Sequence, residues 1–482
     1  MSHSSLSPSA LVWLRRDFRW SDQTAIVEAA KECGRVSLAF VIDSRTLAEF
    51  SPKLKPHAAF FGALLALRDE LRAWGKDIHL LEGDPVQLVP ELCRVTGATH
   101  LYYNKDYEPA SLVRDREVNR ACHAQGTKVR AFKDQSLFEE SEVLNGSGAP
   151  YKVFTAYKNA CFKRLNDAPP QTLTAPHPDV LVTRTSGDDA AEKLWKKLAG
   201  LVERGCLEGG GAIPPTGEKA AMRRLSRFIE TALPDYSVGR NLPAIAGTSR
   251  ISMDLRAGTL SPRQVWNTVS TTRGIARAER DVFLSELIWR DFFMTIGFHF
   301  PRVFDSNYNE KYDRLKWRND ESEFHAWCEG RTGYPIVDAG MRELVQTGFM
   351  HNRVRMITAM FLVKDLLVDW KKGERFFRTH LVDGDQAVNN GNWQWCASTG
   401  CDAQPYFRIF NPTTQGLKFD GEGGYIRTYL PELGPLQGKK LHNPPEEFLT
   451  QKGPQIYPPP LVDHSAARMR CLTAFNRALA KP

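Results

Sequence analysis

The sequence predicts two unlike halves: an α/β N-terminal domain on a parallel, five-stranded, Rossmann-like sheet, then a long linker and an all-α C-terminal domain. Three observations predict it. Short apolar runs alternate with helical periods over the first 135 residues, proline and glycine crowd the chain from about 169 to 215, and strand patterns nearly vanish beyond Glu218. Strands alternating with helices of this length give a parallel sheet covered on both faces.

In chain order, ALVWL (Ala10–Leu14), VSLAFVI (Val36–Ile42), IHLLE (Ile78–Glu82) and HLYYN (His100–Asn104) read as buried strands, and KVRAF, ending near Lys133, as the last. Helical spacing fills Thr24–Cys33, Ala58–Trp74, Pro85–Thr96 and Ser111–Ala124. No G-x-G-x-x-G follows the first strand, so the usual dinucleotide fingerprint is missing and a nucleotide-like ligand on this domain stays open. The expected domains are 1–135 (α/β), 136–217 (linker) and 218–482 (helical). PPQTLTAPHPD, RTSGDD and GGGAIPP mark surface-running chain, with a short helix near Ala190–Val202. Helical periods then run through 218–233, 261–272, 278–298, 321–329, 335–347, 351–371 and 373–381, with a final helix near Ala466–Ala480.

Hydrophobic residues make up 42% and charged residues 25%, the composition of a folded protein. The formal charge of +8 is a mild basic excess, compatible with a polyanion partner but weak evidence for one. The nine cysteines are scattered and never form C-x-x-C, which fits a reduced, cytoplasmic setting. Cys396 and Cys401 read as small core residues, and no metal site is expected. No apolar run long enough to span a membrane occurs.

The helical half holds polar groups where periodicity predicts burial, and buried polar groups need partners. RDVFLSELIWRDFFMTIGF places Glu286 and Trp289 on one helical face with Arg290 beside them. MHNRVRMITAMFLVKDL does the same for Asn352 and Met356, with Arg353 and Arg355 flanking. A carboxylate, an amide, guanidinium groups and a flat ring facing one cavity suit a planar, polar ligand. Each helix alone reads equally well as an ordinary amphipathic helix. The run from Asp383 to Asn411 shifts the balance, because its aspartates, asparagines and glycines supply dense hydrogen bonding beside two tryptophans. Upstream, GTSRIS (Gly247–Ser252) offers hydroxyls and backbone N–H groups that could cradle phosphate.

Together YKVFTAYKNA (from Tyr151), GTSRIS, SPRQVW, ELIWRDF, TGYPIVDAGMREL, MHNRVRMI, DGDQAVNNGNWQW and PYFRIFNPTTQGLKFD resemble the photolyase/cryptochrome family, most closely its class I cyclobutane pyrimidine dimer photolyases. The resemblance covers nearly the whole chain and is strongest over residues 247–430. It implies an FAD-binding helical domain, active with FADH⁻, in a monomer that repairs UV-damaged DNA in light. Tyr236, Thr248, Ser249, Ile251 and Ser252 match phosphate-side cofactor contacts. Arg355 and Asp383 match an ion pair beside the flavin ring, Asp385 an acceptor to the cofactor, and Asn389 the residue facing flavin N5. Glu286, Trp289, Asn352, Arg353, Met356 and Trp393, with Arg290 beside them, match the substrate side, where a flipped dimer would be received. Catalytic roles are expected of Glu286, Asn352, Met356 and Asn389. Trp393, Trp370 and Trp317 match an electron-transfer chain, while Trp395 and Trp327 read as structural. Lys158, Lys163, Arg331 and Arg408 are candidate phosphate contacts.

Departures from the family pattern matter too. Phe283 and Phe349 stand where relatives often have tryptophan, and Asn392 replaces a common glycine. Folate-binding members carry a Y-E-V-N-E type string, whereas this chain has Tyr107, Glu108, Pro109, Ala110 and Ser111. A deazaflavin or second flavin is therefore favoured over methenyltetrahydrofolate as antenna, and the absence of any antenna stays open. The alternative function is a cryptochrome-type blue-light photoreceptor, which often has Asp or Cys where this chain has Asn389. Repair of the six-four photoproduct is disfavoured because Asn352 and Met356 occupy the positions that reaction gives to histidines.

Overall fold

A computed structural model describes residues 8–43, 54–182, 189–208, 212–451 and 457–480. The apolar runs of the first half pair into one parallel sheet: β1 (Ala10–Leu14), β2 (Val36–Ile42), β3 (His79–Glu82), β4 (His100–Asn104) and β5 (Lys128–Phe132), in the order β3-β2-β1-β4-β5. Ala10 sits opposite Val36 on one side and His100 on the other. Every residue of β1 and β2 is buried, because helices cover both faces. Val12 and Leu14 point to the face covered by α1 (Thr24–Cys33) and α2 (Leu54–Ala73). Leu11 and Trp13 point to α3 (Pro85–Thr96) and α4 (Pro109–Ala124), as alternation along a strand requires. The α3 boundaries follow from local chemistry. Asp84 caps its N-terminus by accepting from Val86 N–H, Pro85 opens its first turn, and Gly97 (φ 66°) closes it in the left-handed region.

The expected linker carries two packed helices. α5 (Phe154–Asp167) contributes Tyr157, Cys161 and Leu165 to the helical core, and α6 (Asp189–Leu207) contributes Trp195 and Leu198 to the sheet's core. The GGGAIPP and RTSGDD strings fall partly on residues outside those described.

The longer helices of the helical half are α7 (Glu218–Thr231), α8 (Pro262–Thr271), α9 (Arg277–His299), α10 (Glu321–Cys328), α11 (Pro335–Thr347), α12 (Asn352–Met360), α13 (Trp370–His380), α14 (Gln386–Ala397), α15 (Pro412–Phe419) and α16 (His464–Leu479). One expected helix divides. The 351–371 period ends as α12 at Met360, passes through a π-turn at Phe361–Asp365, and turns at Leu367 (φ 55°) before Asp369 caps α13. Phe361, Leu362, Val363, Leu366, Leu367 and Val368 are all buried, so no polar stripe marks the break in the sequence. Two cores result, one around α9 and one around α11, α12 and α14, and they flank the site described next. No helix among the described residues is long and apolar enough to cross a membrane.

Candidate active site in the helical half

Helices α9, α12 and α14, with the 236–256 segment, enclose a cavity of about 450 Å³. Tyr236, Thr248, Ser249, Ile251, Ser252, Glu286, Trp289, Arg290, Asn352, Arg353, Arg355, Met356, Asp383, Asp385, Asn389 and Trp393 all line it. The i, i+3 and i, i+4 spacings on α9 and α12 turn one face of each helix toward this space.

The polar pairs are specific. Arg355 Nη2 lies 2.9 Å from Asp383 Oδ2, and its Nε donates to the Met350 carbonyl at 2.8 Å. Asp383 Oδ1 is buried with no partner among the described residues. Glu286 Oε1 accepts from Arg240 Nη1 at 2.7 Å. Burial raises the Glu286 carboxyl, and Arg240 opposes that rise. Arg353 donates to Asn241 at 2.5 Å and lies 4.5 Å over the Phe419 ring. Asp385 caps α14, its Oδ1 accepting from Val388 N–H at 3.2 Å. Burial would raise its carboxyl, but Arg16, with Arg290 and Arg256, holds it well below the usual carboxylate range.

Asn389 is oriented by a neighbour that sequence spacing does not reveal. Its Nδ2 donates to the Glu374 carbonyl at 2.9 Å and to Glu374 Oε1 at 2.8 Å. Both partners are acceptors, so the amide nitrogen must face Glu374, and the carbonyl oxygen is left for another donor. Glu374 escaped notice because KKGERFF reads as a solvated turn of helix, yet it is only 9% exposed.

The aromatic walls also differ from expectation. Trp289 stacks on Phe154 (centroids 3.4 Å, 9°) and on Phe293 (5.3 Å, 27°). Trp393 is 2% exposed, packed edge-on to Phe377 at 4.9 Å and Trp327 at 6.1 Å, with its ring tip on Gly373. Trp395, read from sequence as structural, lines the cavity and is only half-buried. Trp327 is fully buried, with Nε1 donating to the Thr358 carbonyl at 3.1 Å. Trp370 and Trp317 do not line the cavity. Trp370 is buried with Nε1 donating to Asn307 at 2.8 Å, and Trp317 packs at half-burial against Phe475 (6.5 Å). Phe283 meets Tyr236 edge-on at 5.3 Å, and Phe349 lies under Arg250 at 4.4 Å. Arg331 is paired with Glu329, whereas Lys163 and Arg408 are exposed.

The comparisons with known proteins agree with this geometry. Residues 10–177 match the DNA photolyase family, and residues 283–477 match the FAD binding domain of DNA photolyase. The deoxyribodipyrimidine photo-lyase of Agrobacterium fabrum is 40% identical over 96% of this chain and 97% of its own length. That of Escherichia coli is 39% identical over 97% and 98%. The chain belongs to the DNA photolyase family. Among solved structures, a class III photolyase from Agrobacterium tumefaciens superposes with TM-score 0.87 at 38% identity, covering 99% of both chains. An archaeal photolyase from Sulfolobus tokodaii with two FAD molecules gives 0.83 at 32% identity, covering 97% of this chain and 100% of its own.

The photolyase cavity also fits FAD chemically. The unpartnered Asp383 Oδ1 can accept from a ring N–H, and Arg256 Nη1 and Arg290 Nη2 are buried donors without partners among the described residues. Thr248, Ser249 and Ser252 add hydroxyls at one edge of the cavity. Imide-accepting, phosphate-donating and aromatic groups are the set that a flavin dinucleotide needs.

Proposed function

We propose that this chain repairs cyclobutane pyrimidine dimers in UV-damaged DNA, using light. The convergence of the Asp383, Asp385 and Asn389 set with the Glu286, Trp289, Asn352 and Met356 set on one cavity carries this reading. FAD bound as FADH⁻ supplies the photoexcited electron and takes it back, with no net redox change. The Asn389 carbonyl, freed by Glu374, suits the N5–H of a reduced flavin. Arg355, 2.9 Å from Asp383, holds that carboxylate in place as an acceptor at the ring.

On the substrate side, Trp289 and the half-buried Trp395 offer stacking walls for a flipped dimer, in place of the buried Trp393. Burial of Glu286 favours its neutral acid, which can donate to a dimer carbonyl as negative charge develops there. Asn352 and Met356 complete that side, and Arg353 adds positive charge for the DNA strand, whereas Arg290, expected there, is largely buried beside Asp385 on the cofactor side. Trp393, Trp370 and Trp317 are proposed to carry electrons from the surface to the flavin. Trp393 lies at the cavity, Trp370 shares its core, and Trp317 packs against that core's edge.

For the antenna we propose a deazaflavin or second flavin over methenyltetrahydrofolate. Glu108, the one acidic group left of the folate-type string, is engaged by Arg16 at 2.9 Å, and Pro109 opens α4.

A cryptochrome-type receptor is the second reading, favoured by the cryptochrome from Synechocystis (TM-score 0.82, 26% identity, 98% of this chain covered). Illuminating reduced protein with a dimer-containing oligonucleotide decides between them. Restored pyrimidines support repair, whereas binding with the dimer unchanged supports the receptor. Six-four repair is disfavoured by His351, which is 3% exposed, caps α12 through Nδ1, and is pushed down to about 4 by burial and the surrounding arginines.

A further inference from the structure

Where the strand order reverses, the loops after β1 and β4 lie side by side, at the crevice where doubly wound sheets collect polar groups. Two arginines leave the end of β1 in different directions. Arg15 stays within its own domain, paired with Asp115, bonded to the Asn104 carbonyl, and 4.5 Å over the Tyr103 ring. Arg16 crosses to the helical half. Its Nη2 lies 2.5 Å from Asp385 Oδ2, while its Nη1 lies 2.9 Å from Glu108 Oε1 and 3.4 Å from Asp106 Oδ1. Arg16 and Asp385 are each 6% exposed, so the pair is shielded from water.

The two carboxylates nearest Arg16 are the groups that begin α14. Asp385 Oδ1 accepts from Val388 N–H at 3.2 Å, and Glu108 Oε1 accepts from Gln386 N–H at 3.4 Å. Arg256 holds the preceding residue, donating from Nε to the Gly384 carbonyl at 2.9 Å, and its own carbonyl accepts from Arg16 Nε at 3.4 Å. The start of α14 is thus fixed by a side chain from the other domain, one turn before Asn389. Removing one member of a desolvated ion pair strands the other, and here the stranded group lies at the cavity.

We propose that Arg16 is a positioning residue for the flavin, holding Asp385 and the first turn of α14 so that Asp385 and Asn389 meet the cofactor. This rests on the reading that Asp385 and Asn389 face the flavin. The N-terminal domain then completes the flavin site directly, whatever antenna it carries.

The test compares flavin dissociation, the absorption spectrum of bound flavin and its midpoint potential in purified holoprotein across five variants. Arg16→Gln should release flavin roughly ten- to a hundredfold more readily, the range for losing a bond to a charged group, and should shift spectrum and potential. Arg16→Lys should recover part of each property, and it carries the same test if Arg16→Gln does not fold. Adding Arg16→Gln to Asp385→Asn should cost less than the two single losses combined, since both remove the Arg16–Asp385 pair while only Arg16 also holds Glu108 and Asp106. Arg15→Gln should lower thermal stability and leave flavin affinity, spectrum and potential as in wild type. Flavin loss in Asp385→Asn with wild-type behaviour in both Arg16 variants overturns the positioning role alone. Wild-type flavin properties in Asp385→Asn as well overturn the assignment of Asp385 to the cofactor. Equal flavin loss in Arg15→Gln would reduce the Arg16 effect to general destabilisation and also overturn the proposal.

Discussion

Asn389 shows how one side chain's chemistry is set by a residue remote in sequence. Because both Nδ2 contacts go to Glu374, rotation of the amide would place its oxygen against two acceptors. Glu374→Ala removes one of them and should weaken protonated, reduced flavin by roughly a hydrogen bond, about 1 kcal/mol, seen as a lower midpoint potential in a redox titration. An unchanged potential would mean that the amide is held by something else. Trp289 offers a second test at this scale. Its ring is backed by Phe154, so it presents a fixed wall rather than a mobile one. Trp289→Ala should weaken binding of dimer-containing DNA by about 1–3 kcal/mol, the usual worth of one base stack, and barely alter binding to undamaged DNA. Equal losses on both DNAs would argue against stacking. The sequence made the apolar, charged and amide groups of the site readable through helical spacing. It did not reveal Glu374, nor that Trp395 joins Trp393 at the cavity while Trp393 is almost wholly buried, because spacing on one helix does not say which neighbouring helix will bury a ring.

At the scale of elements, the strands were legible because fully buried parallel strands are short apolar runs bounded by turn residues, as in Val36–Ile42 and His100–Asn104. The division between α12 and α13 was illegible for the opposite reason. Phe361–Asp365 and its flanks are buried on all sides, Lys364 and Asp365 included, so the apolar run and its two charges read as one amphipathic helix and nothing marks the π-turn. That turn places Trp370 at the first position of α13, where its ring joins the core containing Trp393. The proposed electron route therefore runs through elements packed together rather than along one helix. Trp317→Phe should slow photoreduction of oxidised flavin severalfold or more under blue light, yet leave dimer repair intact once the flavin is reduced chemically. Equal photoreduction in the variant would remove Trp317 from the route.

Across the whole molecule, buried polar contacts tie the α/β half to the helical half. Arg263 on α8 lies 2.9 Å from Asp134 and 3.2 Å from Asp22, and Arg19 lies 2.7 Å from Asp134. Asp291 on α9 holds the chain just after the sheet domain, accepting from Leu137 N–H at 2.8 Å and Phe138 N–H at 3.3 Å. It is 2% exposed, and burial pushes its carboxyl up to about 6 against the pull of Arg290 and the two backbone bonds. A carboxyl raised in the folded state binds its proton more tightly there than in the unfolded chain, near 4. Its protonation therefore favours folding fully below about pH 4, and this contribution fades as pH rises toward 6. Above pH 6 the ionised group costs on the order of 2 kcal/mol. Asp291→Asn keeps an acceptor oxygen for the two N–H groups and carries no charge. Thermal unfolding of wild type and variant from pH 4 to pH 8 should show the variant gaining relative stability between pH 4 and 6 and holding that gain above it. A difference that stays flat across the range would mean that Asp291 is ionised and well compensated throughout, leaving the junction held by charge rather than by a neutral acid.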